Sequence, residues 1–145
     1  MTEADSVFDY TCCPVGTGGT ISGVINSSNS HQKILGFPAL KGDFLQEEIA
    51  KFATQNNWEL ITDYHFGGYA KTNDDLIKFI NNFKSKHNVP LDPIYTGKMV
   101  FGIYDLIEKG YFPKGSKILA IHTGGLQGIE GMNQKLKQQN RPLIV

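Results

Sequence analysis

The sequence has no excess of charge of either sign, because 14 Lys and Arg residues balance 14 Asp and Glu residues. It also has no run of basic side chains, so binding to nucleic acid or to an anionic membrane surface has no electrostatic support. No stretch approaches the roughly 20 apolar residues that a membrane-spanning helix needs. The first residues, Met1 to Ser6, are few and acidic, unlike a secretory signal peptide. These absences predict a cytoplasmic protein that binds neither nucleic acid nor membrane.

Cysteine is scarce, and the two residues of this type, Cys12 and Cys13, are adjacent. On a strand their side chains would point to opposite faces of the sheet, which disfavours a disulfide bond between them. We therefore expect free thiols in a reducing compartment. No spacing of His, Cys and Asp residues is typical of a metal site, so no metal is predicted.

The chain has the length and composition of one globular domain, with 145 residues of which 40% are hydrophobic and 11% aromatic. Short apolar runs alternate with segments of helical periodicity. Strands are predicted at 7–15, 33–38, 58–62 and 117–122, and helices from the first loop to about 25, then at 43–55, 73–87, 100–107 and 128–137. Asp43, and either Thr72 or Asn73, are the predicted N-caps of the helices that follow them. This alternation predicts a three-layer αβα fold with a mostly parallel sheet.

A glycine-rich turn follows the first predicted strand, with the sequence Pro14-Val15-Gly16-Thr17-Gly18-Gly19-Thr20-Ile21-Ser22-Gly23. Glycines let the backbone approach a ligand closely, and the N-terminus of the next helix adds unpaired N–H groups and a partial positive charge. Thr17 and Thr20 add hydroxyl donors, whereas no Lys or Arg lies in or beside the loop. The turn therefore predicts a phosphate site built from N–H and O–H dipoles, with a purely structural turn as the alternative.

The loop matches neither of two common phosphate-binding motifs. It lacks the Lys-Ser/Thr ending of a P-loop. Counted from Gly16, the third glycine position of the dinucleotide fingerprint is occupied by Ile21. Two further unusual loops, Gly67-Gly68-Tyr69 and Thr123-Gly124-Gly125, also follow predicted strands. Ligands of open parallel sheets bind beyond the carboxyl ends of the strands, which is where all three loops are predicted to lie.

Four short motifs occur in a characteristic order: Val15-Gly16-Thr17-Gly18-Gly19-Thr20, Gly67-Gly68-Tyr69, Leu91-Asp92-Pro93-Ile94-Tyr95-Thr96-Gly97-Lys98 and Ile121-His122-Thr123-Gly124-Gly125. Together they resemble the family of D-cysteine desulfhydrases and 1-aminocyclopropane-1-carboxylate deaminases. Members of that family are pyridoxal-phosphate enzymes with the tryptophan synthase β-like fold. The resemblance implies pyridoxal 5′-phosphate as the cofactor and a small amino acid as the substrate.

Family members are much longer than this chain, and their Schiff-base lysine lies in the N-terminal half, ahead of the glycine loop. The resemblance therefore implies that residues 1–145 are a single partial domain, the C-terminal part of a pyridoxal-phosphate-dependent lyase. Neither Lys51, on the polar side of a predicted helix, nor Lys98, in the Tyr-Thr-Gly-Lys stretch, matches that lysine. We expect the Schiff-base lysine to be absent, and the chain to form a homodimer or to associate with the missing N-terminal part.

The resemblance also assigns roles to individual residues. The cofactor phosphate would be held by Gly16, Thr17, Gly18, Gly19 and Thr20. Tyr95 would lie against the cofactor ring, Thr96 would hydrogen-bond the pyridine nitrogen, and Tyr69 would exchange a proton near the substrate, which makes Tyr69 and Tyr95 the predicted catalytic residues. The alternatives are a core tyrosine at position 95 and an aromatic plug on a surface loop at position 69. His122 could lie near the cofactor, but a hydrogen-bonded structural histidine is favoured.

The identity of residue 96 bears on the predicted reaction. A carboxylate beside the pyridine nitrogen keeps it protonated and makes the ring a strong electron sink, whereas a neutral hydroxyl does not. The family's true deaminases carry Glu where Thr96 stands, so the resemblance favours D-cysteine desulfhydrase-like β-elimination to pyruvate, ammonia and sulfide. The alternatives are 1-aminocyclopropane-1-carboxylate deaminase activity, a non-catalytic fragment that binds phosphate or pyridoxal phosphate, and a nucleotide-binding Rossmann-like domain.

Overall fold

A computed structural model describes residues 7–145, which form four strands and five helices that alternate except where two helices follow the third strand. The strands are β1 (Tyr10–Val15), β2 (Lys33–Pro38), β3 (Trp58–Leu60) and β4 (Ile118–Ala120). The helices are α1 (Gly19–Ser27), α2 (Phe44–Phe52), α3 (Asp74–His87), α4 (Thr96–Glu108) and α5 (Gly128–Gln138). None of the helices in this part of the chain is long and apolar enough to cross a membrane. All strand pairs are parallel and the strand order is β3-β2-β1-β4, which confirms the predicted parallel sheet.

Two hydrophobic clusters cover the two faces of the sheet. On one face, Ile21 and Ile25 of α1 and Leu45 and Ile49 of α2 pack together with inward side chains of β1 and β2. On the other face, the buried side chains come from α3, α4 and α5, and they include Leu76, Ile77, Ile80, Met99, Ile103, Met132 and Leu136. Helices therefore form an outer layer on each side of the sheet, which confirms the predicted αβα architecture.

The adjacent cysteines lie on opposite faces of β1, as predicted. Cys12 belongs to the cluster under α3, α4 and α5, and Cys13 to the cluster under α1 and α2. Both thiols are free. Burial raises the pKa of Cys12 to about 12 and that of Cys13 to about 11. Because the thiolate is the reactive form, both side chains act as small apolar core residues.

The edge strands are shorter than their apolar patterns predict. The sequence predicts strands at 58–62 and 117–122, but β3 ends at Leu60 and β4 spans Ile118–Ala120. Each of these strands has a single neighbour, so the register of that one pairing sets its length. β4 pairs with β1 only from Tyr10 opposite Ile118 to Cys12 opposite Ala120.

Helix α4 begins at Thr96, earlier than the predicted start near Val100. The cause is the buried carboxylate of Asp92, which accepts hydrogen bonds at 2.8 Å from the backbone N–H groups of Ile94, Tyr95 and Thr96. It thereby satisfies N–H groups that a helix N-terminus otherwise leaves unpaired. Apolar periodicity cannot reveal this turn, because its stabilising contact is polar.

Helix α3 begins with a side-chain cap, and replacing the cap is expected to destabilise the protein. Asn73 is the N-cap residue, and its side chain accepts a hydrogen bond from the Leu76 N–H at 2.8 Å, which selects Asn73 over Thr72. Asn73→Ala is expected to lower the free energy of unfolding by about 1 kcal/mol. Urea denaturation measures this change. Asn73→Ser, which retains a capping oxygen, should stay close to the native value, and equal losses in both variants would contradict the capping role.

Candidate cofactor site

A cavity of about 350 Å³ lies at the carboxyl end of β1. The neighbours of β1 are β2 on one side and β4 on the other, so the strand order reverses here. Such a switch point is where open α/β sheets bind ligands. Three segments line the cavity, namely the glycine loop, the residue before α4 and the loop after β4, with the residues Pro14, Val15, Gly16, Thr17, Gly18, Gly19, Thr20, Ile21, Tyr95, Thr123, Gly125 and Gln127. Two of the three predicted loops therefore meet at one site.

The glycine loop lines this cavity with polar groups that lack partners. Gly18 has a φ of 93°, in the left-handed region that favours glycine, and α1 begins directly after it. Within residues 7–145, the backbone N–H groups from Thr17 to Thr20 and the hydroxyls of Thr17 and Thr20 make no hydrogen bond. Unpaired donors at a helix N-terminus, together with the helix dipole, favour an anion. The loop is therefore suited to bind a phosphate group.

The lining of the cavity carries no charge, since Lys, Arg, His, Asp and Glu are all missing from the residues that form it in the described chain. Across residues 7–145 there is likewise no group of three or more His, Cys, Asp or Glu side chains arranged to hold a metal ion. At Gly16, an added Cβ would lie 3.2 Å from Cε1 of Tyr95. The missing side chain at this position lets the loop and the tyrosine ring form two walls of one neutral cavity.

The structure brings Tyr69 and Tyr95 together beside the cavity. Their ring centroids are 6.3 Å apart in an edge-to-face arrangement. Tyr95 lines the cavity, whereas Tyr69 is 56% exposed. Burial, followed by interaction with the Tyr69 phenol, raises the pKa of Tyr95 above its ordinary value. Tyr95 is therefore a protonated phenol at neutral pH, and Tyr69 is accessible to a ligand.

Thr96 lies in the turn that starts α4. Its side chain is fully buried and is not part of the cavity lining. Its hydroxyl donates to Oδ1 of Asp92 at 2.6 Å and accepts from the Asp92 N–H at 3.0 Å. The hydroxyl proton is thus engaged within the turn that starts α4, and the contact of Thr96 with a pyridine nitrogen stays a prediction.

A third threonine in the lining, beside Thr17 and Thr20 of the glycine loop, is Thr123, to which the sequence assigns no role. It lies three residues after Ala120, the last residue of β4, and precedes Gly124 and Gly125, which have φ values of 89° and 79°. A hydroxyl residue at the carboxyl end of a strand, followed by two glycines, was the signal that could have identified it. Gly125 also approaches Asp92, since a Cβ there would lie 3.3 Å from Oδ1 of that residue.

His122 makes structural hydrogen bonds, which agrees with the favoured prediction of a hydrogen-bonded structural histidine. Its Nε2 lies 2.9 Å from the carbonyl oxygen of Pro90, and its Nδ1 lies 3.1 Å from the backbone nitrogen of Gly124. The ring therefore connects the loop after β4 to the segment that leads into α4. It is not among the residues that line the cavity.

The fold has a parallel sheet between two helix layers, and at its switch point an uncharged cavity offers unpaired N–H and O–H donors to an anion. This is the architecture of a protein that binds a phosphorylated ligand or cofactor. The sequence model of the family described as pyridoxal-phosphate dependent enzymes matches residues 1–124. The chain belongs to this family, and the family's cofactor is pyridoxal 5′-phosphate, as predicted.

Several relatives are named as deaminases, which confirms the predicted family. A putative 1-aminocyclopropane-1-carboxylate deaminase from Pyrococcus abyssi is 34% identical over 129 residues, which cover 79% of this chain and 38% of the relative. A protein of the same name from Pyrococcus furiosus is 36% identical over 135 residues, covering 83% and 40%. A 1-aminocyclopropane-1-carboxylate deaminase from Pseudomonas syringae pv. tomato is 29% identical over 140 residues, covering 84% and 41%. The chain thus spans less than half the length of these relatives.

A solved structure supports the same assignment. The crystal structure of a homologue of 1-aminocyclopropane-1-carboxylate deaminase matches the chain with a TM-score of 0.83 and 30% sequence identity. The match covers 94% of this chain and 46% of that chain. It confirms the predicted tryptophan synthase β-like fold.

Proposed function

We propose that this chain is the phosphate-binding part of a pyridoxal-phosphate-dependent lyase that acts on a small amino acid. The reaction we favour is D-cysteine desulfhydrase-like β-elimination, which yields pyruvate, ammonia and sulfide. The observation that carries the proposal is the set of unpaired N–H and O–H donors from Thr17 to Thr20 beside the ring of Tyr95. Because the chain spans less than half the length of its relatives, the reaction is proposed for a longer protein that contains it.

The residues in and beside the cavity suit the cofactor, and different residues would bind it and transfer a proton. When bound, pyridoxal phosphate supplies an electron sink for negative charge at the α-carbon of an amino acid. The glycine loop would bind its phosphate, and the ring of Tyr95 would pack against its pyridine ring. Thr123 belongs to the same lining, and its hydroxyl would provide a neutral hydrogen-bonding group. The exposed phenol of Tyr69 would move a proton to or from the substrate.

The neutral lining supports β-elimination over opening of a cyclopropane ring. None of the residues of the described chain that line the cavity is a carboxylate, so none would hold a ring nitrogen protonated. A weaker electron sink suffices to expel a good leaving group such as hydrosulfide from the β-carbon. The competing proposal, deamination of 1-aminocyclopropane-1-carboxylate, is supported by the names of the relatives.

A binding role without catalysis is the second proposal for the chain by itself. None of the lining residues within 7–145 is a lysine, so this part of the cavity has no amine to form a covalent bond with the cofactor. A lysine from another part of a longer protein, or from a second copy, would have to supply it. The predicted association with such a part, or as a homodimer, stays a prediction.

The chain should bind pyridoxal phosphate through its phosphate group. We expect isothermal titration calorimetry to show saturable binding of pyridoxal phosphate and of inorganic phosphate, and none of pyridoxal, which lacks the phosphate. After borohydride reduction, intact mass spectrometry should show no stoichiometric adduct. A single modified lysine would refute the proposal that the chain only binds the cofactor. Equal binding of pyridoxal would refute the role of the glycine loop as a phosphate site. Preferential binding of a dinucleotide would favour the Rossmann-like alternative.

Turnover separates the two reactions in a longer protein that contains this chain. D-Cysteine should give equal amounts of pyruvate and sulfide. Release of a four-carbon 2-oxo acid from 1-aminocyclopropane-1-carboxylate, with no sulfide from D-cysteine, would instead favour the deaminase. Absence of any 2-oxo acid from these and other small amino acids would overturn the lyase proposal altogether.

A further inference from the structure

Lys98 is a buried cation that points away from the cavity. Its side chain is 1% exposed and is not part of the cavity lining. The ammonium donates to the carbonyl oxygens of His65 at 2.8 Å, Gly68 at 3.0 Å and Ala39 at 3.3 Å. An ammonium group has three N–H donors, so all of them are used. Lys98 therefore connects α4 to the loop after β2 and to the loop after β3.

Packing alone does not account for an ammonium at this position. Burial lowers the pKa of Lys98 to about 8, while the charge of Asp92 acts in the opposite direction. Within residues 7–145 no carboxylate lies within salt-bridge distance of its Nζ. An apolar side chain of similar length would fill the same space without the cost of desolvating a charge. What the ammonium adds is three directed hydrogen bonds to backbone carbonyls.

The loop that Lys98 contacts has an unfavourable backbone conformation. Phe66, Gly67, Gly68 and Ala70 have φ values of 58°, 101°, 129° and 57°, all in the left-handed region. Two of these residues carry a side chain, and such conformations persist only where surrounding contacts hold them. Inside the loop, the Gly68 N–H donates to His65 and the Lys71 N–H donates to Gly68. Lys98 binds the carbonyl oxygens of those same two acceptor residues.

The charges around the ammonium suit this arrangement. Burial, followed by the positive charges of Lys41 and Lys98, lowers the pKa of His65. The imidazole is therefore neutral at physiological pH, and its Nδ1 accepts a hydrogen bond from the Gly67 N–H at 3.0 Å. A charged His65 would repel the nearby ammonium and lose this acceptor.

The N-terminal end of α4 is connected to both tyrosines beside the cavity. Tyr95 immediately precedes the helix, and Lys98 lies in its first turn. Tyr69 directly follows Gly68, whose carbonyl oxygen Lys98 binds. We infer that Lys98 is a positioning residue, which holds the loop from His65 to Ala70 so that the phenol of Tyr69 stays against Tyr95. The inference relies on the proposed function only for the use of the two tyrosines, and its test needs no cofactor.

The test compares Lys98→Met with Lys51→Met in the full 145-residue chain. Lys51 is an exposed lysine on α2, so its replacement removes the same charge without touching the loop. Amide hydrogen exchange at Gly68 and Lys71 should accelerate at least about tenfold in Lys98→Met relative to the amides of α3, because a hydrogen bond to a charged group contributes about that factor or more. Lys51→Met should leave these rates unchanged. Lys98→Gln, which retains two N–H donors, should give an intermediate rate.

A second readout separates positioning from general destabilisation. In the native chain, NMR titration of labelled tyrosine should show a raised pKa for Tyr95, part of which comes from Tyr69. In Lys98→Met this pKa should move toward its ordinary value, because the phenol of Tyr69 leaves. The inference would be overturned if Lys98→Met kept both the native amide exchange rates at Gly68 and Lys71 and the native pKa of Tyr95.

A measurement on the unsubstituted chain tests the role of Lys98 even if Lys98→Met does not fold. In the unsubstituted chain labelled with ¹⁵N-lysine, the Nζ protons of Lys98 should exchange slowly enough to give a resolved ammonium signal, because all three donate to carbonyls that are buried or partly buried. The exposed lysines, such as Lys51, should show none. Loss of the Lys98 signal into the solvent resonance under the same conditions would overturn the inference without any substitution.

Discussion

Replacing Gly18 with valine is expected to weaken the binding of pyridoxal phosphate to this chain by at least about fivefold. Gly18 has a φ of 93°, and a β-branched residue in the left-handed region costs about 1–3 kcal/mol, where 1.4 kcal/mol is a factor of ten. An added Cβ would also lie 3.0 Å from Cγ1 of Ile49. Relief of this strain would turn the N–H groups of the loop away from their present positions. Calorimetric titration with pyridoxal phosphate measures the loss.

A matched control for this substitution lies in α1, the helix that begins directly after Gly18. Gly23→Ala adds a methyl group that meets no atom within 4 Å, at a position outside the cavity lining. Since alanine is a better helix former than glycine, this variant should bind normally and be slightly more stable. Gly18→Ala should fall between Gly18→Val and the native chain. A Gly18→Val protein with a native circular dichroism spectrum and unchanged affinity would show that the cofactor binds elsewhere.

Replacing Asp92 with alanine should produce a large loss of stability. Its buried carboxylate accepts hydrogen bonds from the backbone N–H groups of Ile94, Tyr95 and Thr96 and from the hydroxyl of Thr96. Each buried donor left without an acceptor costs roughly 1–3 kcal/mol, and water and relaxation of the turn would satisfy part of the set. We expect the free energy of unfolding to fall by about 4 kcal/mol, as measured by urea denaturation.

Two further substitutions show whether the loss at Asp92 comes from its hydrogen bonds. Asp92→Asn keeps one acceptor oxygen of the two, so it should lose about half as much as Asp92→Ala. Asp75→Ala removes an exposed carboxylate in the first turn of α3 and should lose about 0.5 kcal/mol, through the helix dipole alone. If Asp92→Ala and Asp75→Ala were equally stable, the turn before α4 would not depend on the buried carboxylate.

The names of the relatives and the chemistry of the cavity favour different reactions. The relatives are named as deaminases of a cyclopropane amino acid, whereas the lining of this cavity has no carboxylate among the described residues. In the sequence, the residue that favours desulfhydrase-like β-elimination is Thr96, which is buried in the turn that starts α4. In the structure the same chemical argument applies to Thr123, which is the threonine of the lining outside the glycine loop. The proposed reaction is therefore unchanged, but a different residue supports it.

Local features of the fold could be predicted from the sequence because their causes lie within a few residues. The apolar run and the glycines after it predicted β1, the turn and α1, although the strand begins at Tyr10 and not at Val7 as predicted. Adjacent positions on a strand necessarily face opposite ways, which placed Cys12 and Cys13 on different sides of the sheet. The cap at Asn73 is a contact with an N–H only three residues away. Where the cause was polar or came from pairing, as at the start of α4 and the ends of β3 and β4, the prediction was less accurate.

The sequence by itself determined the αβα class, the cofactor family and the glycine loop as the candidate phosphate site, because periodicity, turn residues and short motifs are local properties. Only the tertiary structure decided which side chains surround the cavity. Asp92 binds the hydroxyl of Thr96 in the turn that starts α4. The loop after β4, which is distant in sequence, places Thr123 in the lining, and Lys98 binds the loop that carries Tyr69. These outcomes depend on which hydrogen-bond partners come within reach once the helices pack on the sheet, and that competition is settled by contacts between segments far apart along the chain.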